Sequence, residues 1–134
     1  MNESIKRLIG SLALRPGASR ELVRKVEAEL GISLPKDYLD FMVQSNGAEG
    51  PIGKREYLVL WAIEKIIPLN EGYQVKEFAP GLLLFGGNGG GEAYAFDTRF
   101  NPIPIVRVPF IGLSLKEAIL CGQTFIEFLE NLAK

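Results

Sequence analysis

The sequence predicts a single α+β domain with a central, mainly antiparallel sheet flanked by N-terminal and C-terminal helices. Three observations support it. Apolar residues recur at helical spacing over the first third of the chain, aromatic and branched runs separated by Gly and Pro turns take over from Tyr57, and a capped amphipathic segment ends the chain. With 134 residues, no internal repeat and no low-complexity linker, residues 1–134 read as one folding unit. A chain of that size buries roughly 65–70% of the surface it exposes when unfolded.

The first helix is predicted from Ile5, Leu8, Ile9 and Leu12, which share one helical face, and Pro16-Gly17 stops it. The second starts at Ser19, an N-capping hydroxyl, and carries Leu22, Val23, Val26 and Leu30 on one face. It ends at Gly31, where a left-handed C′ residue costs glycine little. Glu21 and Lys25, four apart in the favourable order, add about 0.3 kcal/mol on the solvent side. The third begins at Pro35, whose missing N–H is not needed in a first turn, and ends at Asn46-Gly47, both tolerant of positive φ. Tyr38, Leu39, Met42 and Val43 form its apolar face with Phe41 flanking, and Lys36, Asp37, Asp40 and Gln44 are expected to face water.

Residues 47–53 then read as a Gly/Pro loop and residues 57–61 as the first strand. Residues 62–70 suit a short helix or a turn; no element is predicted for 71–80, which are polar and irregular. Residues 82–85 and 93–96 read as strands joined by a glycine hairpin or bulged turn. Residues 103–108 supply another strand after a turn at Asn101-Pro102, with Pro104 either on an edge or near the strand's start. Ser114-Leu115-Lys116-Glu117 and Thr124-Phe125-Ile126-Glu127 both fit a capping box. The second opens a helix with Phe125, Ile126, Phe128, Leu129 and Leu132 on its apolar face.

Composition excludes several function classes. The chain is 47% apolar and 23% charged, and no apolar stretch approaches the ~20 residues of a membrane span. Lys6 and Arg7 interrupt the N-terminal apolar residues, so no secretory signal is read there and a cytoplasmic protein is expected. Sixteen acidic residues against fifteen basic ones do not suit a protein that coats nucleic acid. Between residues 46 and 97, seven acids face only Lys54, Arg55, Lys65 and Lys76; a basic partner would suit that excess, and solvated loops also explain it. Cys121, the one cysteine, cannot form an internal disulfide and reads as a small buried side chain.

Histidine is absent, which removes Ser-His-Asp triads, Cys-His pairs and histidine metal sites. A carboxylate-only or Ser/Lys mechanism would need a constellation that the sequence does not display. The run Gly86-Gly87-Asn88-Gly89-Gly90-Gly91 contains neither G-x-G-x-x-G nor G-K-[ST], leads into a strand, and stands beside Glu92, which would repel phosphate. Glu92 and Asp97, five apart on one strand, point to opposite faces about 17 Å apart and make no acid/base pair. Tyr57 and Trp61 offer partner-binding anchors, weighed against the ordinary packing of a lone tryptophan within its own domain.

Several local signatures recur in a fixed order: Glu29-Leu30-Gly31, Leu34-Pro35-Lys36-Asp37-Tyr38, Asn46-Gly47, the glycine turn, an aromatic strand closing on Asp97, and Thr124-Phe125-Ile126-Glu127-Phe128-Leu129. In that order, over residues 19–132, the chain resembles the SUKH superfamily, specifically its Smi/Knr-like branch. The resemblance implies a non-enzymatic binding domain without cofactor or metal. For a bacterial member it implies an immunity protein that binds and neutralises a cognate polymorphic or contact-dependent toxin, often a nuclease, by stoichiometric occlusion. An intracellular regulatory or scaffold module binding an endogenous protein is the alternative, and a small-ligand-binding domain the third reading. The shared motifs are caps and turns, so they do not locate the binding surface; the acidic and aromatic middle of the chain supplies the expected contact residues Glu56, Tyr57, Trp61, Glu92 and Asp97.

Overall fold

The computed structural model describes residues 3–134; Met1 and Asn2 of the predicted unit lie outside the described residues. In chain order the elements are α1 (Glu3–Leu8), β1 (Ala13–Leu14), α2 (Arg20–Leu30), α3 (Lys36–Gln44), β2 (Ala48–Ile52) and β3 (Glu56–Leu60). A 3₁₀ turn at Ile63–Lys65 runs into α4 (Ile66–Gly72), followed by α5 (Val75–Phe78), β4 (Leu82–Gly87), β5 (Glu92–Asp97) and β6 (Ile105–Pro109). A second 3₁₀ turn at Leu115–Glu117 precedes β7 (Ile119–Gly122) and α6 (Phe125–Ala133). The strands lie in sequence order in one seven-stranded sheet whose neighbours are all antiparallel. The fold is the expected α+β arrangement, with helices gathered at both ends of the chain.

Alternation along the strands divides the core in two. Leu58, Leu60, Phe85, Tyr94, Phe96 and Ile105 pack under α1, α2, α3 and α6. The aromatic residues interlock there, with ring centroids 4.2 Å apart for Phe85–Phe96, 4.9 Å for Tyr38–Phe96 and 4.8 Å for Tyr94–Phe128. The opposite face is lined by smaller side chains, Leu82, Leu84, Ala93, Ala95, Val106 and Val108, and is covered by Val75 and Ala79 from the α5 segment and by Leu113.

Local chemistry fixes the helices where the sequence places them. Ser19 Oγ accepts from Leu22 N at 3.1 Å, and Gly31 closes α2 at φ 72°. Thr124 Oγ1 likewise accepts from Glu127 N at 3.1 Å to start α6. Asp37 departs from its predicted solvent position: its Oδ2 accepts from Ile126 N at 3.1 Å, so α3 helps to cap α6 across 89 residues of sequence. Phe41 is likewise more than a flanking residue, because it is fully buried with Tyr38 and Met42. α3 ends at Gln44 with Ser45 as its C-cap, just ahead of the predicted Asn46-Gly47, of which only Gly47 takes positive φ. The Asn46 side chain instead starts the next element, with Oδ1 accepting from Ile63 N at 2.8 Å and the amide donating to Glu64 at 2.7 Å. Glu21 and Lys25 form no ion pair; on α3 Lys36 meets Asp40 at 2.8 Å.

Three strands were not predicted. β2 occupies the expected Gly/Pro loop, because Gly50 lets the chain at Ser11 and Leu12 cross it closely, a Cβ there coming 2.9 Å from Ser11 O. Pro51 is paired with Tyr57 of β3 but lies where the other side of β2 is an open edge, because β1 reaches only Ala48 and Glu49, and an edge position is where a strand tolerates proline. β1 itself replaces the end of the predicted first helix. β7 lies between the second 3₁₀ turn and α6, in the stretch between the two capping boxes for which the sequence predicts no element. Its Cys121 is half-buried instead of buried, and burial raises the thiol pKa.

Candidate functional site

The β4–β5 hairpin organises the surface around the predicted contact residues. β4 continues through Gly86 and Gly87, with a register shift between Leu84 and Gly86, and Asn88 Oδ1 closes the turn by accepting from Gly90 N at 2.9 Å and Glu92 N at 3.2 Å. The glycines act as beds for aromatic rings. A Cβ at Gly87 would lie 3.0 Å from Phe110 Cε2, and one at Gly89 would lie 2.8 Å from Tyr57 Cδ2. Glycine within a strand often marks such close approach.

Phe110 in turn joins Trp61 and Tyr73, with centroids 6.3 Å apart for Trp61–Phe110, 5.0 Å for Tyr73–Phe110 and 6.4 Å for Trp61–Tyr73, the last pair nearly parallel at 5°. Trp61 and Phe110 pack on the small-residue core yet remain half-buried, and Tyr73 is exposed. Tyr57, also exposed, donates its hydroxyl to Glu49 Oε2 at 2.8 Å, and this bond raises the phenol pKa. The result is a supported, partly open aromatic surface assembled from β3, the end of α4 and the segment after β6.

Glu56 and Glu92 lie on the other side of the sheet, in phase with Leu58 and Tyr94. The fold brings these two carboxylates, 36 residues apart in sequence, into the charge environment of one buried phenol. Burial, and then the charge of Glu56, push Tyr94 up to about 12, while Arg107 on the paired position of β6 acts in the opposite direction. Arg107 Nε is buried without a hydrogen-bond partner among the described residues.

Asp97 is separated from all of these. It is 2% exposed at the far end of β5, and its carboxylate accepts from Arg99 Nε at 2.9 Å, Arg99 Nη2 at 2.8 Å and Arg99 N at 3.2 Å. Those bonds hold its carboxyl below the usual carboxylate range. Geometry gives Asp97 the work of closing a turn, with no free oxygen directed outward to a partner. Sequence reading also missed Tyr73, Phe110 and Glu49; Gly87 and Gly89, on either side of Asn88, were the available sign that rings pack over this hairpin.

The frame that carries this surface can be compared with known families. A family model described as the SMI1/KNR4 family (SUKH-1) matches residues 17–131. The chain belongs to that family. It is also 35% identical over 83 residues to the uncharacterized protein YnaB of Bacillus subtilis (strain 168), an alignment covering 62% of this chain and 48% of that relative. The chain therefore spans about half the length of the curated relative it matches. The SMI1/KNR4 family includes immunity proteins. The motif residues that suggested it serve the frame here: Leu34 N donates to Glu27 Oε2 at 2.8 Å, Asp37 caps α6, Tyr38 fills the aromatic core and Asn46 starts the 3₁₀ turn. No helix among the described residues is long and apolar enough to cross a membrane.

Proposed function

We propose that this chain is a non-enzymatic protein-binding domain acting as an immunity protein, which neutralises a cognate bacterial polymorphic or contact-dependent toxin domain by stoichiometric occlusion. The observation that carries the reading is the half-open aromatic surface of Tyr57, Trp61, Tyr73 and Phe110 on a family frame whose motif residues are structural. Large, pre-positioned rings supply contact area at low entropic cost, and a few such anchors dominate an interface of about 1,600 Å². Glu56 and Glu92 form a separate acidic flank at the hairpin end of the sheet, suited to a basic toxin surface. Asp97 is left out of the contact set because Arg99 occupies it.

Co-expression with a toxin domain encoded beside the gene tests both levels of the proposal. The expected result is growth rescue and an isolable one-to-one complex, weakened roughly tenfold or more by Trp61→Ala. A complex unaffected by Trp61→Ala, Tyr73→Ala and Glu92→Lys would refute this surface. An adjacent toxin that neither binds nor is neutralised would refute the immunity reading.

A further inference from the structure

A second surface is built by residues 66–77, the stretch with the weakest sequence signal. The end of α2, α4, α5 and the start of β4 enclose a groove of about 650 Å³. Its floor is apolar, made by Leu30, Ile67, Val75 and Leu82. Its rim carries Glu29 from α2, Glu71 from α4 and Glu77 from α5 against a single cation, Lys76. All three carboxylates are exposed, and among the described residues none meets a cation or side-chain donor of this chain.

The groove is preformed. Asn70 fixes its wall by donating to Ile66 O at 2.7 Å and Leu84 O at 2.9 Å while accepting from Leu84 N at 2.9 Å, which fastens α4 to β4. Gln74, at φ 56° the one non-glycine residue with positive φ among the described residues, turns the chain from α4 into α5. A ligand entering a fixed groove has little ordering cost to overcome. Its size falls within the range of sites that enclose small ligands or a few side chains.

We infer that this groove docks a basic amphipathic segment of a protein partner, with aliphatic side chains on Leu30, Ile67 and Val75 and Lys or Arg side chains against Glu29, Glu71 and Glu77. Charge complementarity selects that occupant: an acidic segment would meet three unpaired carboxylates, and a neutral apolar one would leave them unused while partly desolvating them. The groove's lining includes none of Tyr57, Trp61, Tyr73 and Phe110, although Tyr73 lies between Glu71 and Gln74 in the chain, so the variants at Glu71 and Glu77 test this assignment apart from the aromatic one.

The test titrates the full chain with an amphipathic Leu/Lys helical peptide and with its Leu/Glu counterpart, read by calorimetry and by backbone amide shifts. The Leu/Lys peptide is expected to bind, to perturb amides of residues 67–77, and to weaken roughly tenfold in the double variant Glu71→Lys/Glu77→Lys and at high salt. Glu130→Lys, at an exposed position of α6 outside the groove's lining, should leave its affinity unchanged. Equal binding of the Leu/Glu peptide, no binding of either, perturbations centred on Tyr57 and Trp61, or full affinity in the double variant would overturn the inference. Both substituted positions are solvent-exposed, and an unchanged melting temperature confirms that the variant is folded.

Discussion

The two faces of the sheet solve different problems. On one, Tyr38, Phe85, Phe96, Phe125 and Phe128 interlock beneath four helices, and every one of them is fully buried. On the other, Ala93 and Ala95 leave a shallow surface that a four-residue helix and a loop cover, and the large rings there, Trp61, Tyr73 and Phe110, stay partly open. The comparison separates stability from recognition. Substitutions on the first face should change whether the domain folds, whereas those on the second should change what it binds.

Phe96→Ala presents the largest expected effect. The ring contacts both Tyr38 and Phe85, has no access to solvent, and leaves a cavity under α3 that rigid neighbours cannot fill. A loss of about 3–5 kcal/mol is expected in urea unfolding, a large share of the stability of a typical domain. Tyr73→Ala, an exposed ring on the other face, should cost about 1 kcal/mol or less in the same assay. Equal losses at the two positions would break the division between the faces.

Asp37→Ala tests whether the aromatic face depends on its polar fastening. Removing the carboxylate leaves Ile126 N without its acceptor at the start of α6, and a loss of about 1–2 kcal/mol is expected by chemical denaturation. Tyr38→Phe tests the same core with the opposite sign. The Tyr38 hydroxyl is completely buried with no hydrogen-bond partner among the described residues, and burial strongly raises its pKa. Deleting an unsatisfied hydroxyl while keeping the ring should stabilise the domain by about 1 kcal/mol. A destabilised Tyr38→Phe protein would show that the hydroxyl has a partner, such as an ordered water, in solution.

The same division explains which parts were legible in the sequence. α2 was legible because its determinants are local: the Ser19 cap, the apolar spacing and the Gly31 stop all lie within thirteen consecutive residues. β2 was not, because Gly50 and Pro51 look like a turn until Ser11 and Leu12, far earlier in the chain, are seen to cross them. Asp37 carries no periodic sign of its contact with Ile126, which joins elements 89 residues apart in the chain. At the candidate site, Tyr57 and Trp61 stood out as aromatic residues in a strand, but Tyr73 and Phe110 come from separate elements and meet Trp61 only after folding. Composition likewise revealed an acidic middle region, while only the fold places Glu71 and Glu77 beside Glu29 and leaves Asp97 enclosed by Arg99.

The smallest expected effect concerns that enclosed carboxylate and appears only in acid. Because Arg99 donates to Asp97, the folded carboxyl titrates below its ordinary unfolded value of about 3.9, so at low pH the unfolded chain binds more protons than the folded one. The pair's contribution is therefore complete above that unfolded value and is lost as pH falls through the folded one. Asp97→Asn removes the titration while keeping an oxygen that can accept from Arg99. The stability difference between the parent and this variant, measured by urea unfolding, should be constant near about pH 6 and should shrink toward about pH 2. A difference that stays constant across that range would mean that Asp97 closes its turn through geometry alone, with the charge of Arg99 contributing nothing to the fold.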